Sequence, residues 1–264
     1  MDSISLIDSH CHPYFRQFRK DADDVIQRAL ASGVSAMLSV GVDFSTFQDM
    51  MDLTEKYPFM YSTLGVHPSY RLPSAPTPAE FSDYYAEWMS RYPGKILGLG
   101  EMGLDYYRNY DSEYQRSLFR NQILSAVDLG LPIIVHTRNA REDTLEILEE
   151  CHAERVGGVI HCFSEDWDFA GRVMDFGFML SFSGVITMNG HDDTLEAVRM
   201  VPDNMYLVET DSPYLTPHPK NDRNRNEPSF VVEVASKVAD VKGVDISKVA
   251  RDSTDNFKRL FALA

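Results

Sequence analysis

Short apolar runs alternate along this chain with longer amphipathic stretches. Eight runs read as buried strands: Ser5–Asp8, Ala36–Val40, Met60–Gly65, Ile96–Gly100, Ile133–Val135, Gly158–Ile160, Phe178–Ser181 and Met205–Val208. Between them the polar and apolar positions follow a helical period over Ala22–Ser32, Phe44–Lys56, Ala79–Arg91, Ser112–Leu129, Ala140–Cys151, Asp166–Phe176 and Asp192–Met200. Two further helices, Phe230–Val241 and Ile246–Phe261, follow the last strand. Strands that alternate with helices pair in parallel through right-handed crossovers. Eight such units are the count of a (β/α)₈ TIM barrel, an α/β fold, here with additional C-terminal helices. An open doubly wound sheet is the competing architecture. It is disfavoured because no G-x-G-x-x-G phosphate turn follows the first strand. The Pro-rich stretch Arg71–Pro78 reads as a loop entering a helix, and no linker or low-complexity tract divides the sequence. One barrel domain over residues 1–264 is expected.

Length agrees with that reading, since the chain has 264 residues and such a barrel needs about 250. Apolar residues make up 44% of it, enough for a sizeable core. No apolar run approaches the ~20 residues that span a bilayer. The first residues lack the basic segment and apolar stretch of a signal peptide, so a cytoplasmic location without membrane attachment is expected. Cys11, Cys151 and Cys162 are odd in number and irregularly spaced, which argues against a disulfide framework. They read as small buried residues rather than ligands. The net charge, 25 − 40 = −15, repels polyanions at long range and disfavours duplex binding through a broad basic face. It leaves room for a nucleic-acid substrate where bound cations reverse the local field.

The informative chemistry lies at the strand ends. The first strand leads into Asp8-Ser9-His10-Cys11-His12. Residues two apart in a strand share a face, so His10 and His12 project together and can grip one ion. Imidazole suits zinc, iron or nickel, and sites shared with carboxylates also hold magnesium or manganese. Later strands end in His67, Glu101, His136, His161 and the pair Glu209 and Asp211. In a barrel these positions share the C-terminal rim, where active sites are built. Singly, each has a plainer reading. His136 and His161 would be core-edge histidines bonded to carbonyls, Glu101 a helix-N-terminal carboxylate, and Asp211 a turn former before Ser212-Pro213. Together, so many ligand-type groups on one rim pose a severe desolvation problem unless a cation is present. His152 and His191 read as surface residues, and His218 as a residue of the loop after the eighth strand that is within reach of the site but is not assigned to it.

These residues resemble the TatD-related metal-dependent hydrolases of the amidohydrolase-like barrel superfamily. The matching segments are Asp8–His12, Gly65–Pro68, Gly100–Tyr107, Pro132–Arg138, His161–Ser164, Glu209–Leu215 and Arg225–Pro228, in the family's order and across nearly the whole chain. Two departures stand out. Glu165 follows His161-Cys162-Phe163-Ser164 where the family commonly has Gly, and 221–224 lacks the usual Gly-Lys pair. Both fall on loops over the expected pocket and bear on substrate range.

The resemblance implies a cofactor of two divalent metal ions, with magnesium or manganese for activity and zinc as a further bound species. One ion would be held by His10, His12 and Asp211, the other by His136 and His161, with Glu101 bridging. It implies a phosphodiester hydrolase, a deoxyribonuclease with 3′→5′ exonuclease action on single strands. The partner would be DNA ends or short single-stranded nucleic acid, with no obligate protein partner. Small-molecule phosphodiester or amide cleavage, and ester cleavage on aminoacyl-tRNA, are the alternatives on the same site. A non-catalytic binding barrel would require a broken ligand set. Two such ions lower the pKa of a water for in-line attack on phosphorus. In this scheme Asp211 orients or deprotonates that water. Glu209 supports a ligand or is simply a satisfied rim carboxylate, and His67 faces the substrate as a proton donor. Arg225 offers a fork for phosphate, or else pairs with Glu227 or a rim carboxylate. Arg138 is a second phosphate-contact candidate. Tyr106 and Tyr107 would stack on a base or pack on the rim.

Overall fold

All eight apolar runs form strands, and they pair in chain order into one parallel sheet. In this computed structural model the described residues are 5–107, 111–220 and 225–263. The strands are β1 (Leu6–Cys11), β2 (Val34–Val40), β3 (Met60–Leu64), β4 (Ile96–Asp105), β5 (Ile133–Arg138), β6 (Gly158–Ile160), β7 (Phe178–Phe182) and β8 (Tyr206–Val208). Helices α1 (Ala22–Ala31), α2 (Phe47–Lys56), α3 (Pro78–Arg91), α4 (Ser112–Leu129), α5 (Arg141–Glu150), α6 (Trp167–Asp175) and α7 (Asp192–Met200) form the crossovers. α8 (Val231–Lys242) and α9 (Ile246–Leu260) follow β8. Local chemistry sets several helix ends. Thr77 and Glu80 form a reciprocal capping box at α3, with Pro78 at its first position. The side chains of Asp111 and Asp166 accept the N-terminal amides of Tyr114 and Phe169. No helix among the described residues is long and apolar enough to cross a membrane.

The sheet closes at its seam through a few contacts rather than a full ladder. Asp211 N–H donates to the His10 carbonyl at 2.9 Å and His12 N–H to the Ser212 carbonyl at 2.8 Å. Beneath them the Asp8 carboxylate accepts the Thr210 amide at 2.9 Å and the Thr210 hydroxyl at 2.6 Å. Asp8 thereby fastens β1 to the segment after β8, at the level from which His10 and Asp211 emerge.

Two apolar layers result. The larger fills the space between barrel and helices. The smaller contains Ile7, Leu38, Val40, Ile134, Val159, Met179 and Leu207 from the strands, together with Phe257 and Phe261. Its strand residues therefore face the barrel interior, and Phe257 of α9 and Phe261 just after it lay their rings across the N-terminal floor. The Phe257 and Phe261 rings meet at a tilt of 48°, their centres 4.6 Å apart.

Several elements differ from their expected bounds. β1 continues to Cys11 and β5 to Arg138. Phe44–Thr46 is a separate 3-10 turn before α2. The largest difference is β4, which runs on to Asp105 instead of ending at Gly100. A register shift between Leu99 and Met102 precedes renewed pairing with β5, from Met102↔Val135 to Asp105↔Arg138. Gly103 makes that pairing possible. Its φ is +142°, and a Cβ there would lie 1.9 Å from the His136 carbonyl oxygen. Glycines that read as a strand terminus instead let two backbones approach. The departure at 221–224 lies outside the described residues.

Candidate metal centre

The C-terminal mouth gathers the side chains that the separate strand ends offered. His10 projects from β1, with His12 one residue past it. Glu101 and His136 project from within β4 and β5, His161 follows β6 directly, and Glu209 and Asp211 follow β8. Three donor groups have all their ligand atoms within 4.8 Å of one another: His10–His12–Asp211, His10–Glu101–His161 and His67–Glu101–His136. They share His10 and Glu101, so they form one continuous cluster.

On one side, His10 Nε2 and His12 Nε2 lie 3.2 Å apart. Asp211 Oδ1 is 3.7 Å from the first and 3.4 Å from the second. On the other, Glu101 Oε1 is 3.0 Å from His136 Nδ1 and 2.9 Å from His161 Nε2. Those two nitrogens are 3.2 Å apart. The second oxygen of Glu101 lies 3.4 Å from His10 Nε2. Glu101 thus turns one oxygen to each side, which is the geometry the bridging expectation requires.

The outer hydrogen bonds of the imidazoles test whether cations fit. His12 Nδ1–H donates to the Val40 carbonyl at 2.8 Å, so the neutral ring presents a bare lone pair at Nε2. His161 Nδ1–H donates to Glu209 at 3.2 Å, which again leaves Nε2 bare and aimed at Glu101. Lone pairs facing carboxylate oxygens at these distances repel unless a proton or a cation lies between them. Imidazoles and carboxylates set face to face, with His12 and His161 fixed by outer partners and His10 Nδ1 and His136 Nε2 buried without one, are the donor chemistry of a divalent-ion site. The residues fit the group.

His67 differs. Its Nδ1 accepts the Ser69 amide at 3.0 Å and the Ser69 hydroxyl. The neutral ring therefore carries its proton on Nε2, 3.3 Å from Glu101 Oε1. The neutral ring is thus set as a donor, and its Nε2 faces Glu101 within the cluster.

Electrostatics follow from this packing. Burial works against the charged form of Glu101, yet His161, His67 and bonds from His10 and His136 hold its carboxyl well below the ordinary range. Burial likewise opposes ionisation of Asp211, and His12 and His10 pull it below its usual value. Burial also opposes charging of His161, but Glu101 and Glu209 raise it well above an ordinary histidine. His136 is raised, against burial, by Asp105 and Glu101. His10 is lowered by burial and by His161. Burial lifts Asp8 to about 8 despite its bonds from Thr210.

Some supporting groups were not singled out from the sequence. Asp105 Oδ2 lies 3.7 Å from His136 Nε2, and Gln115 brackets the Asp105 backbone through both its amide atoms. Asn226 donates to the Thr210 and Tyr214 carbonyls. Phe15 lies flat on the His12 ring, 4.5 Å away at 8°. The i,i+4 spacing of Glu101 and Asp105 was a usable signal only with β4 recognised as continuous. The partners of Thr210 and Asn226 are set by tertiary packing alone.

Not every expected contact is brought to the cluster. Arg225 forks onto Asp21 at 2.8 and 2.6 Å, donates to the Gln17 carbonyl and lies over Phe18. Its guanidinium is engaged by the start of α1, and Glu227 pairs with Arg28 instead. Tyr106 donates its hydroxyl to Asp143 at 2.6 Å and is partly buried on α5, so it packs rather than offering a stacking face. Tyr107 is exposed, with the Arg138 guanidinium 3.8 Å from its ring centre. Cys11 and Cys162 stay out of the donor groups: Cys11 Sγ faces the Leu38 carbonyl, and Cys162 Sγ the Ser183 hydroxyl. Glu165 is half-buried beside Arg141, which partly offsets the rise that burial gives its carboxyl. His152, His191 and His218 also lie outside these donor groups.

Comparison with known proteins identifies the family and the fold. The family model described as TatD related DNase matches residues 7–262. The chain is 38% identical to the metal-dependent hydrolase YabD of Bacillus subtilis over 261 residues, covering 98% of this chain and 99% of that one. It is 34% identical to the 3′-5′ ssDNA/RNA exonuclease TatD of Citrobacter koseri over 253 residues, 94% of this chain and 95% of that protein. Among solved structures, the TatD homologue YJJV of Escherichia coli superposes with a TM-score of 0.86 at 25% identity, covering 98% of both chains.

Proposed function

Since the chain belongs to the TatD-related DNase family of metal-dependent hydrolases, we propose that it is a two-metal phosphodiester hydrolase. Its substrate is the 3′ end of single-stranded DNA, shortened one nucleotide at a time. The observation that carries this reading is the placement of Glu101, with one oxygen against His136 and His161 and the other against His10. A carboxylate shared in this way suits two ions rather than one. His10, His12 and Asp211 would hold the first, and His136 and His161 the second. The 3′-to-5′ direction and the single-stranded preference are drawn from the relative in Citrobacter koseri, whose name records both.

When bound, the cations supply Lewis acidity toward water and phosphoryl oxygens. The remaining steps belong to side chains. Asp211, held ionised by its histidine neighbours, accepts the proton of the attacking water. His67 presents Nε2–H, fixed by Ser69 behind it, to a phosphoryl oxygen or to the departing sugar oxygen. Glu209 keeps His161 in the tautomer that leaves Nε2 free. Asp8 and Thr210 hold the backbone from which Asp211 and His10 project.

A 5′-labelled single-stranded oligonucleotide, incubated with protein and magnesium, manganese or zinc, should shorten from its 3′ end and release mononucleotides. Intact DNA and RNA oligonucleotides under all three metals would overturn the assignment. The net charge of −15 supports a second reading, in which the same site cleaves a small phosphodiester or amide, or an aminoacyl-tRNA ester. Turnover of such a substrate orders of magnitude above the oligonucleotide would reverse the ranking.

A further inference from the structure

Large apolar side chains left exposed are few, and their positions are uneven. Among the described residues they are Tyr70, Tyr107, Leu124, Met188, Met200 and Tyr214. The three tyrosines all belong to segments that bear groups of the metal centre. Tyr107 is 62% exposed and donates its amide to Asp105, the carboxylate beside His136. Tyr214 is 50% exposed and donates its amide to the Asp211 carbonyl. Tyr70, at 38%, stands edge-on to His67.

Topology separates two of them. Tyr107 follows β4 and is stacked by Arg138 of β5, whereas Tyr214 follows β8 and packs against Phe15, which follows β1. In an eight-stranded barrel of sequential order, the β4/β5 edge lies diametrically across from the β8/β1 seam. The donor cluster lies between them. Each ring has a planar neighbour, Arg138 over the face of Tyr107 at 3.8 Å and Phe15 edge-on to Tyr214 at 6.3 Å. Phe15 itself rests on His12. Rings supported in this way are held in place before anything binds.

We propose that Tyr107 and Tyr214 are specificity-determining stacking platforms that hold the two unpaired bases flanking the scissile phosphate. This rests on the nuclease reading of the same site. An aromatic face accepts any base, so these platforms read the absence of pairing rather than sequence. A base pair cannot open onto two rings on opposite sides of one mouth without losing its partner. Among the described residues the two arginines expected to meet phosphate are occupied, Arg225 by Asp21 and Arg138 by a ring. Attachment through bases instead of phosphates also accommodates the net charge of −15.

The test pairs Tyr107→Ala and Tyr214→Ala with two single-stranded DNA probes. One is an ordinary oligonucleotide and the other carries abasic residues at its last two 3′ positions. Each variant should raise KM, and the Kd measured by fluorescence anisotropy, about 5- to 150-fold on the ordinary probe, with kcat little changed. Wild-type protein should lose on the doubly abasic probe about the product of the two single-variant losses, and the variants should show no further loss on it. The logarithmic salt slope of binding should stay shallow, below about 2, because few phosphates are neutralised. Unchanged KM and Kd in both variants, or equal losses on both probes, would overturn the proposal. Tight single-strand binding that depends on the two tyrosines, without any cleavage, would refute the nuclease reading and leave the platforms standing.

Discussion

Glu209 offers the sharpest test of how the centre is held. Its side chain is fully buried, and Oε1 accepts bonds from His161 Nδ1 at 3.2 Å and from the Cys162 amide at 2.7 Å. Oε2 has no partner. Truncation to alanine would strand two buried donors, each costing about 1–3 kcal/mol. Their sum is a large share of the roughly 5–15 kcal/mol that holds a typical domain together, so loss of activity in that variant would carry little meaning. Glu209→Gln is the informative change. The amide oxygen can keep both bonds while its NH₂ group takes the place of Oε2, so the fold should survive. What disappears is the negative charge behind His161, which makes the imidazole a better donor to a cation. Loss of such an outer carboxylate typically weakens metal binding about 10- to 100-fold, or roughly 1.4–2.7 kcal/mol. The assay is the manganese concentration giving half-maximal activity, together with isothermal titration of the same ion into the metal-free protein. Both midpoints should move up by that factor, and kcat at saturating metal should largely recover. A midpoint equal to wild type would refute the claim that Glu209 acts through His161. A kcat that stays low at saturating metal would instead place Glu209 against the substrate.

His67→Asn should leave the metal midpoint unchanged and lower kcat about 10²- to 10⁴-fold, because the ring donates a proton rather than ligating; an altered midpoint in steady-state metal titrations would make it a ligand. Arg225→Ala should leave KM for an oligonucleotide unchanged and cost at most about 1 kcal/mol in urea unfolding, as a partly exposed pair with Asp21 predicts; a raised KM would return it to the phosphate. Metal binding should release protons near neutrality, because His161 is held above its ordinary pKa in the metal-free state and must become neutral to ligate. Apparent affinity should therefore rise with pH, and titration calorimetry in two buffers of different ionisation enthalpy should reveal the release. Phe257→Ala should cost about 3–5 kcal/mol through the barrel floor, read as a lowered Tm, with metal affinity in the remaining folded protein unchanged.

Much of the barrel was legible because its signals are local. Gly158–Ile160, Ser112–Leu129 and Asp192–Met200 stand in the structure where the apolar pattern put them. The cluster was legible for a related reason. A strand of the barrel delivers its end to one rim, so His10, Glu101, His136, His161 and Asp211 could be placed together without knowing any angle. What stayed hidden depends on partners far away in the chain. Nothing near Arg225 announces Asp21, and nothing near Thr210 announces Asp8. Gly100 and Gly103 carried an ambiguous message, since glycine marks both a strand's end and a place where two strands crowd. Choosing the first shortened β4 and obscured Asp105. It also made Tyr106 and Tyr107 look equivalent, although Tyr106 turns to Asp143 and Tyr107 to solvent.

The interior side chains Ile7, Leu38, Val40, Ile134, Val159, Met179 and Leu207, closed below by Phe257 and Phe261, make the barrel a cul-de-sac. No polymer can thread it lengthwise, and whatever enters must back out through the same door. A clamp that slides along its substrate needs two openings, and the described residues leave the barrel one. On the proposed nuclease reading, no far opening holds a long strand between cuts, and each product leaves by the entrance before the shortened chain is seated again. Digestion halted early should leave a smear of partly trimmed strands, rather than full-length molecules beside finished ones.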